Sequence, residues 1–195
     1  MEFIFVAVPA FAHDVYARAL AELVHPGQTV MVMPGTFDSL IFWKEFRKKG
    51  LEDVVVAETN TLPYATRLQG PGSTLIMSLF NPLKVGVMPA CRTQETLEKL
   101  RTFYPSLEAV ESVIACGLSS LNPIIHVPGC ILNAGRIEYA KGEFYFYTEG
   151  FTPCVARTTE AIDKERIALL DSFGYASDIA VSYTHLRAHE TLRHL

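Results

Sequence analysis

One histidine and two asparagines interrupt an otherwise apolar stretch at residues 121–135, LNPIIHVPGCILNAG. Imidazole exchanges a proton near neutral pH, so His126 is the group there that could serve as a general acid or base. If the segment is helical from Asn122 onward, Asn122, His126, Gly129 and Asn133 fall at i, i+4, i+7 and i+11, on one face. Two amides so placed could orient the ring or a substrate group. Asn122 before Pro123 reads as an N-cap and first helical position, because asparagine accepts from unpaired amides and proline has none to leave unpaired. Pro128 cannot donate to the carbonyl of Ile124, so the helix is expected to bend beside the histidine, and the bend with Gly129 to leave room for something other than a side chain. The plainer alternative is a core histidine bonded to a neighbouring carbonyl. The spacing alone leaves both open.

Other residue types offer less chemistry. Cys91, Cys116, Cys130 and Cys154 form no C-x-x-C pair and have no histidine array nearby, so they read as reduced, mostly buried thiols rather than zinc ligands. Lys44, Arg47, Lys48 and Lys49 cluster at the end of an expected helix, where cations complement the dipole. With a net charge of −4, nothing suggests a nucleic-acid footprint. The 195 residues, 49% hydrophobic and 19% charged, can bury a real core in one or two domains. No signal segment and no apolar run approaching a membrane span is apparent, so the cytoplasm is the expected compartment.

The elements that must position His126 follow an alternating pattern. Residues 3–8, FIFVAV, form the continuous apolar run of a parallel strand covered on both faces. Asp14 is expected to cap a helix whose apolar face is Tyr16, Ala19, Leu20, Leu23 and Val24. Strands at 29–33 and 54–59 enclose a helix at 37–49. This is half of a doubly wound sheet, in which ligands bind beyond the carboxyl ends of the strands. Pro9 and Ala10, Pro34 and Gly35, and Glu58 and Asn60 lie on the three loops at that edge. Gly70-Pro71-Gly72 reads as a hairpin turn before a strand at 74–79. A strand at 83–88 and a helix from Thr93 to the stop at Pro105 complete the first domain, residues 1–105. Residues 106–180 are expected to be helical at 107–120, through the His126 segment, and at 160–173. That last helix should bury Ile162, Leu169, Leu170 and Phe173 and leave Glu160, Asp163 and Glu165 in water. Residues 144–147 are ambiguous between strand and loop.

The run Asn122-Pro123-x-x-His126-x-Pro128, continuing to Leu132-Asn133-Ala134-Gly135, resembles the opening of the helical domain of the octopine/nopaline (opine) dehydrogenase family. VAVPAFAH at residues 6–13 and ETNTLPYATR at 58–67 resemble, less specifically, segments after the later strands of its nucleotide domain. The resemblance implies a Rossmann-type sheet followed by an all-helical domain, with His126 as the acid/base and NAD or NADP as hydride donor. It also implies small-molecule partners, an amino acid and a 2-oxo acid, with a homodimer open to the chain. No G-x-G-x-x-G turn occurs, so the chain is expected to be the second half of such a domain, begun at an internal methionine. The family's downstream acidic partner and carboxylate-binding arginine have no match. Two alternatives remain: a 2-hydroxy-acid or ketopantoate-type reductase, whose lysine acid could only be Lys141 or Lys164, and a catalytically inert chain. Residues 181–195 hold His185, His189 and His194. They resemble a translated adaptor sequence, so they are expected to be an artefactual tail and not a metal site.

Overall fold

The computed structural model describes residues 2–176. The expectation for 181–195 lies outside them. Two compact units are present, Met1–Ser119 and Ser120–Leu195.

The first unit is a five-stranded sheet in the order β1 (Phe3–Val6), β2 (Thr29–Val32), β3 (Val55–Thr59), β6 (Leu83–Met88), β7 (Leu107–Ala109). β1, β2 and β3 are parallel, in register Phe3 with Thr29 and Thr29 with Val55. β6 runs antiparallel to β3 because a two-stranded hairpin, β4 (Tyr64–Gly70) and β5 (Ser73–Leu79), returns the chain between them. Alternation along the strands gives each face its own core. Val30, Val32 and Val56 pack with Phe42 and Phe46 on one side, while Met31, Met33, Val55 and Ala57 pack with Leu97 and Leu100 on the other. Helices α1 (His13–Leu20) and α2 (Ser39–Lys48) supply the first cover and α3 (Thr93–Leu100) the second. Among the described residues β1 pairs with β2 alone, and a groove of about 860 Å³ lined by Phe3, Phe5, Lys99 and Phe103 runs along it.

The hairpin turns at Gly72, whose φ of 73° suits glycine. An irregularity in the register, with Ala65 opposite Ser78 and Thr66 opposite Ile76, leaves Met77 extra in β5. Tyr64, Leu68, Ile76 and Leu79 thereby share one face. Leu68, Ile76 and Leu79 are all exposed.

Several expectations need correction. The inner stripe of α1 and the turn after it is His13, Ala17, Ala21 and Val24, and Tyr16 and Leu23 face solvent. A cap at Asp14 would leave His13 outside the helix, whereas the helix starts at His13 and turns it inward. Asp14 is not a cap but the partner of Arg18 one turn on. Residues 107–120 are not one helix: β7 comes first, then α4 (Val113–Leu118), capped by Ser112 Oγ accepting from the Ala115 amide at 3.1 Å. A short apolar run does not distinguish strand from helix. Both elements belong to the first unit, so the boundary falls at Ser119/Ser120 instead of after residue 105. α4 lies close over β6 because Gly86 has no Cβ; one built there would sit 2.7 Å from the Ser112 carbonyl oxygen.

The second unit comprises α5 (Asn122–Leu132), α6 (Ala134–Ala140), a π-helical turn at Phe146–Gly150 and α7 (Pro153–Ser172). α5 packs on α7. α7 starts earlier than expected, with Pro153 in its first turn and Thr152 Oγ1 accepting from the Val155 amide. Its buried stripe is Val155, Thr159, Asp163, Arg166 and Leu170, while Leu169 and Phe173 are exposed. Asp163 was expected in water. It is buried because Arg166 Nε donates to its Oδ1 at 2.7 Å on the same inner face. By length and composition Val113–Leu132 is apolar enough to cross a membrane, contrary to expectation. In the structure it is two helices, α4 and α5, which belong to different units.

Candidate active site

In the second unit the segment that follows α6 lies against His126, Gly129 and Asn133 of the expected polar stripe, while Asn122 is exposed. α5 begins at Asn122, with Leu121 as its cap residue, and the exposed Asn122 side chain makes no capping bond. The capping role expected of Asn122 therefore fails, since Pro123 is the second residue of the helix and not the first. His126 lies one turn on, half-buried in an aromatic corner. The Phe146 ring centroid is 5.0 Å away and that of Tyr147, edge-on, 6.0 Å. The Tyr147 hydroxyl is 3.4 Å from His126 Nε2.

Gly129 does not leave space for a ligand, as had been expected. The Phe146 ring fills it, and a Cβ at residue 129 would lie 2.4 Å from Phe146 Cζ. Asn133 is half-buried and turned to backbone instead of to the imidazole: its Nδ2 donates to the Gly129 carbonyl at 2.7 Å and to the Gly150 carbonyl at 2.8 Å. It thus ties the turn to the helix, and Gly150 is buried against the Phe144 ring. Glu149 completes the attachment by accepting from the Tyr145 amide and from Arg136 Nη2, each at 2.9 Å. The aromatic run, ambiguous in the sequence between strand and loop, is a π-helical turn from Phe146, and its anchors on α5 were not foreseen. The available signal was four aromatics between two glycines, at residues 142–150.

In the first unit the six expected cofactor residues do share the carboxyl edge of β1, β2 and β3, but they are not equivalent. Pro9 and Ala10 are exposed at the start of a 3-10 turn. Pro34 is half-buried. Gly35 is buried, donating to the Thr59 carbonyl at 3.0 Å. Glu58 is fully enclosed and accepts from the Phe37 amide at 3.2 Å and the Ser39 amide at 3.1 Å, so its carboxylate shapes the loop and is closed to direct ligand contact. Burial pushes that carboxyl above its ordinary pKa, against the lowering effect of those bonds. Asn60 accepts from the Lys84 amide at 3.2 Å and reaches the Ser119 carbonyl at 3.5 Å, stitching β3 to β6 and the end of α4.

The same loop carries local strain. Thr36 and Phe37 have φ of 49° and 74°, a region that side chains with a Cβ occupy at a cost of order 1 kcal/mol or more each. The Glu58 carboxylate holds the Phe37 amide, and the Phe37 ring lies against Gly117 of α4, where a Cβ would come within 2.4 Å. Nearby, His13 is buried between the Val8 carbonyl, 3.1 Å from Nε2, and Asp38 Oδ2, 2.5 Å from Nδ1. Both ring nitrogens thus face oxygen, tying the end of β1 to the start of α2.

Residues 109–194 match the model of the NAD/NADP octopine/nopaline dehydrogenase alpha-helical domain. An opine dehydrogenase of Arthrobacter sp. (strain 1C) is 32% identical over 171 residues, 87% of this chain and 47% of the relative. The chain is similar to the octopine/nopaline dehydrogenase family. It spans about half the length of the curated relatives it matches. Among solved structures, octopine dehydrogenase with NADH and L-arginine superposes at a TM-score of 0.61 and 21% identity, over 87% of this chain and 43% of that one. The same enzyme has been solved with NADH and pyruvate. Yersinopine dehydrogenase with NADP+ gives 0.72 at 14% identity, covering 89% and 44%. A ketopantoate reductase from Ralstonia eutropha JMP134 gives 0.60 at 16%, covering 97% and 58%. At these identities the solved structures establish the fold: a Rossmann-type sheet followed by a helical domain, as expected. His126, on its Asn-Pro-x-x-His run, lies inside the segment that the opine dehydrogenase model matches.

Proposed function

We propose that the chain is part of an NAD(P)-dependent oxidoreductase that condenses an amino acid with a 2-oxo acid and reduces the product, with His126 as general acid/base. The observation that carries this reading is the placement of His126: half-exposed, braced by two aromatic rings, on the run that resembles the family's catalytic segment. NAD or NADP would supply the hydride, and the chain's own residues would orient the reactants and handle protons. The exposed Pro9 and Ala10 and the half-buried Pro34, at the ends of β1 and β2, fit a flat ring laid close to backbone. Gly35, Glu58 and Asn60 would support that edge from beneath. Octopine dehydrogenase, a structural neighbour, has been captured with L-arginine and with pyruvate, which fits the two substrate classes.

The lysine-acid alternative lacks local support. Lys141 is an exposed residue ending α6 and Lys164 is on the exposed side of α7. In the protein that carries this chain, supplied with NAD(P)H, a 2-oxo acid and an amino acid, His126→Gln should lower kcat by about 10²-fold or more and leave nucleotide affinity intact. An unchanged kcat would remove His126 from the chemistry. Reduction of the oxo acid at the same rate without the amino acid would favour the hydroxy-acid reductase. No binding of NAD(P)H by calorimetry would favour an inert chain.

A further inference from the structure

Tyr147 reaches His126 from a different element, the π-helical turn, and the turn is not free to swing. Asn133 holds its last carbonyl, Glu149 is bonded to the Tyr145 amide and to Arg136, and Phe146 is seated on Gly129. Tyr147 is 55% exposed, so burial does not force its hydroxyl to find a protein partner. It nevertheless lies 3.4 Å from Nε2, with the ring edge-on to the imidazole.

We propose that Tyr147 is a positioning residue for His126, fixing which ring nitrogen carries the proton. A phenol is a better donor than acceptor, and the unprotonated nitrogen of a neutral imidazole is a good acceptor. The Tyr147 O–H therefore donates to Nε2, and the neutral ring keeps its proton on Nδ1. When the ring is charged, Nε2–H donates to the phenol oxygen instead. In the charged ring the N–H not engaged by Tyr147 is on Nδ1, and that is the proton available to a substrate oxygen. The catalytic consequence rests on the reading of His126 as acid/base. The hydrogen bond and the tautomer do not.

The test uses ¹⁵N-labelled chain, with the His126 ring signals assigned by their loss in His126→Gln. At about pH 9, above the ordinary imidazole range, the wild-type ring should be mainly the Nδ1–H tautomer. Tyr147→Phe keeps the aromatic packing and removes the donor. It should shift the tautomer ratio toward Nε2–H by about three- to tenfold, the equilibrium worth of one net hydrogen bond. A wild-type ring that is mainly Nε2–H, or a ratio indifferent to Tyr147→Phe, overturns the proposal. If the variant does not fold, the wild-type spectrum alone decides. Full turnover by His126→Gln would sink the acid/base role and leave the tautomer result standing, so the two readings fail separately.

Discussion

Gly35 lies directly over Glu58: a Cβ built on the glycine would come within 2.3 Å of both Glu58 Cβ and Oε2. Both residues are buried, so neither can retreat into solvent. Gly35→Ala should therefore destabilise the fold by about 1–3 kcal/mol through overpacking. Chemical denaturation monitored by the fluorescence of Trp43 would read the change, and a neutral result would mean that the loop is looser than described.

Glu58 also predicts a pH dependence. Its folded-state pKa is raised by burial, so the native state holds the proton more tightly than the unfolded chain. Its contribution is complete below the unfolded carboxylate range and declines as pH rises through the folded value. The stability difference between wild type and Glu58→Gln should accordingly be most favourable to wild type in acid and shrink toward neutral pH. Urea midpoints across that range check the sign, and a difference that grows with pH contradicts it.

Asn133 supplies one amide to two carbonyls, those of Gly129 and Gly150. Asn133→Ala leaves both without that donor, and both glycines are buried. A loss of about 1–3 kcal/mol is expected. Faster amide exchange should be confined to the turn and its flanks if the residue is a tie between the turn and α5. Uniform loosening of the unit would point to a core role instead.

His13 is 1% exposed, with an oxygen at each ring nitrogen and the Phe42 ring 6.0 Å away. His13→Ala removes the ring and leaves Asp38 and the Val8 carbonyl without it. About 2–4 kcal/mol should be lost, measurable as a lower unfolding midpoint.

The cysteines should divide three to one. Cys91, Cys130 and Cys154 are exposed, whereas Cys116 is buried with its Sγ 3.2 Å from the Glu58 carbonyl oxygen. Burial pushes the Cys116 thiol well above the usual range, so little thiolate forms there. A thiol-specific chromogenic reagent should titrate three groups promptly in the native chain and the fourth only after denaturation. Four prompt groups would show that α4 opens readily.

The sheet was legible because its strands carry apolar residues on both faces, a pattern that Val30, Met31, Val32 and Met33 state without ambiguity. The turn at Gly72 was equally plain. Helix faces were harder wherever a polar side chain pointed inward. His13 displaced the apparent stripe of α1, and Asp163 with Arg166 hid that of α7, since hydropathy periodicity reads a buried, mutually satisfied polar pair as a solvated face. Glu58 looked like a ligand for the opposite reason: a carboxylate at a strand end suggests exposure, yet the Phe37 and Ser39 amides accommodate it inside. At the candidate site His126 was found by its surroundings in the sequence. Tyr147 was not, because the turn that delivers it is fixed by backbone carbonyls and by space beside two glycines.

Because Asn133 reads main-chain oxygen and Gly129 offers only a vacancy for a ring, the peptide from 137 to 143, whose side chains make none of these contacts, can change composition more freely than length. Adding or deleting a single residue there would carry the carbonyl of Gly150 out of reach of the amide and rotate both aromatic rings away from the imidazole. Sequence drift in this region should therefore favour substitutions and avoid indels.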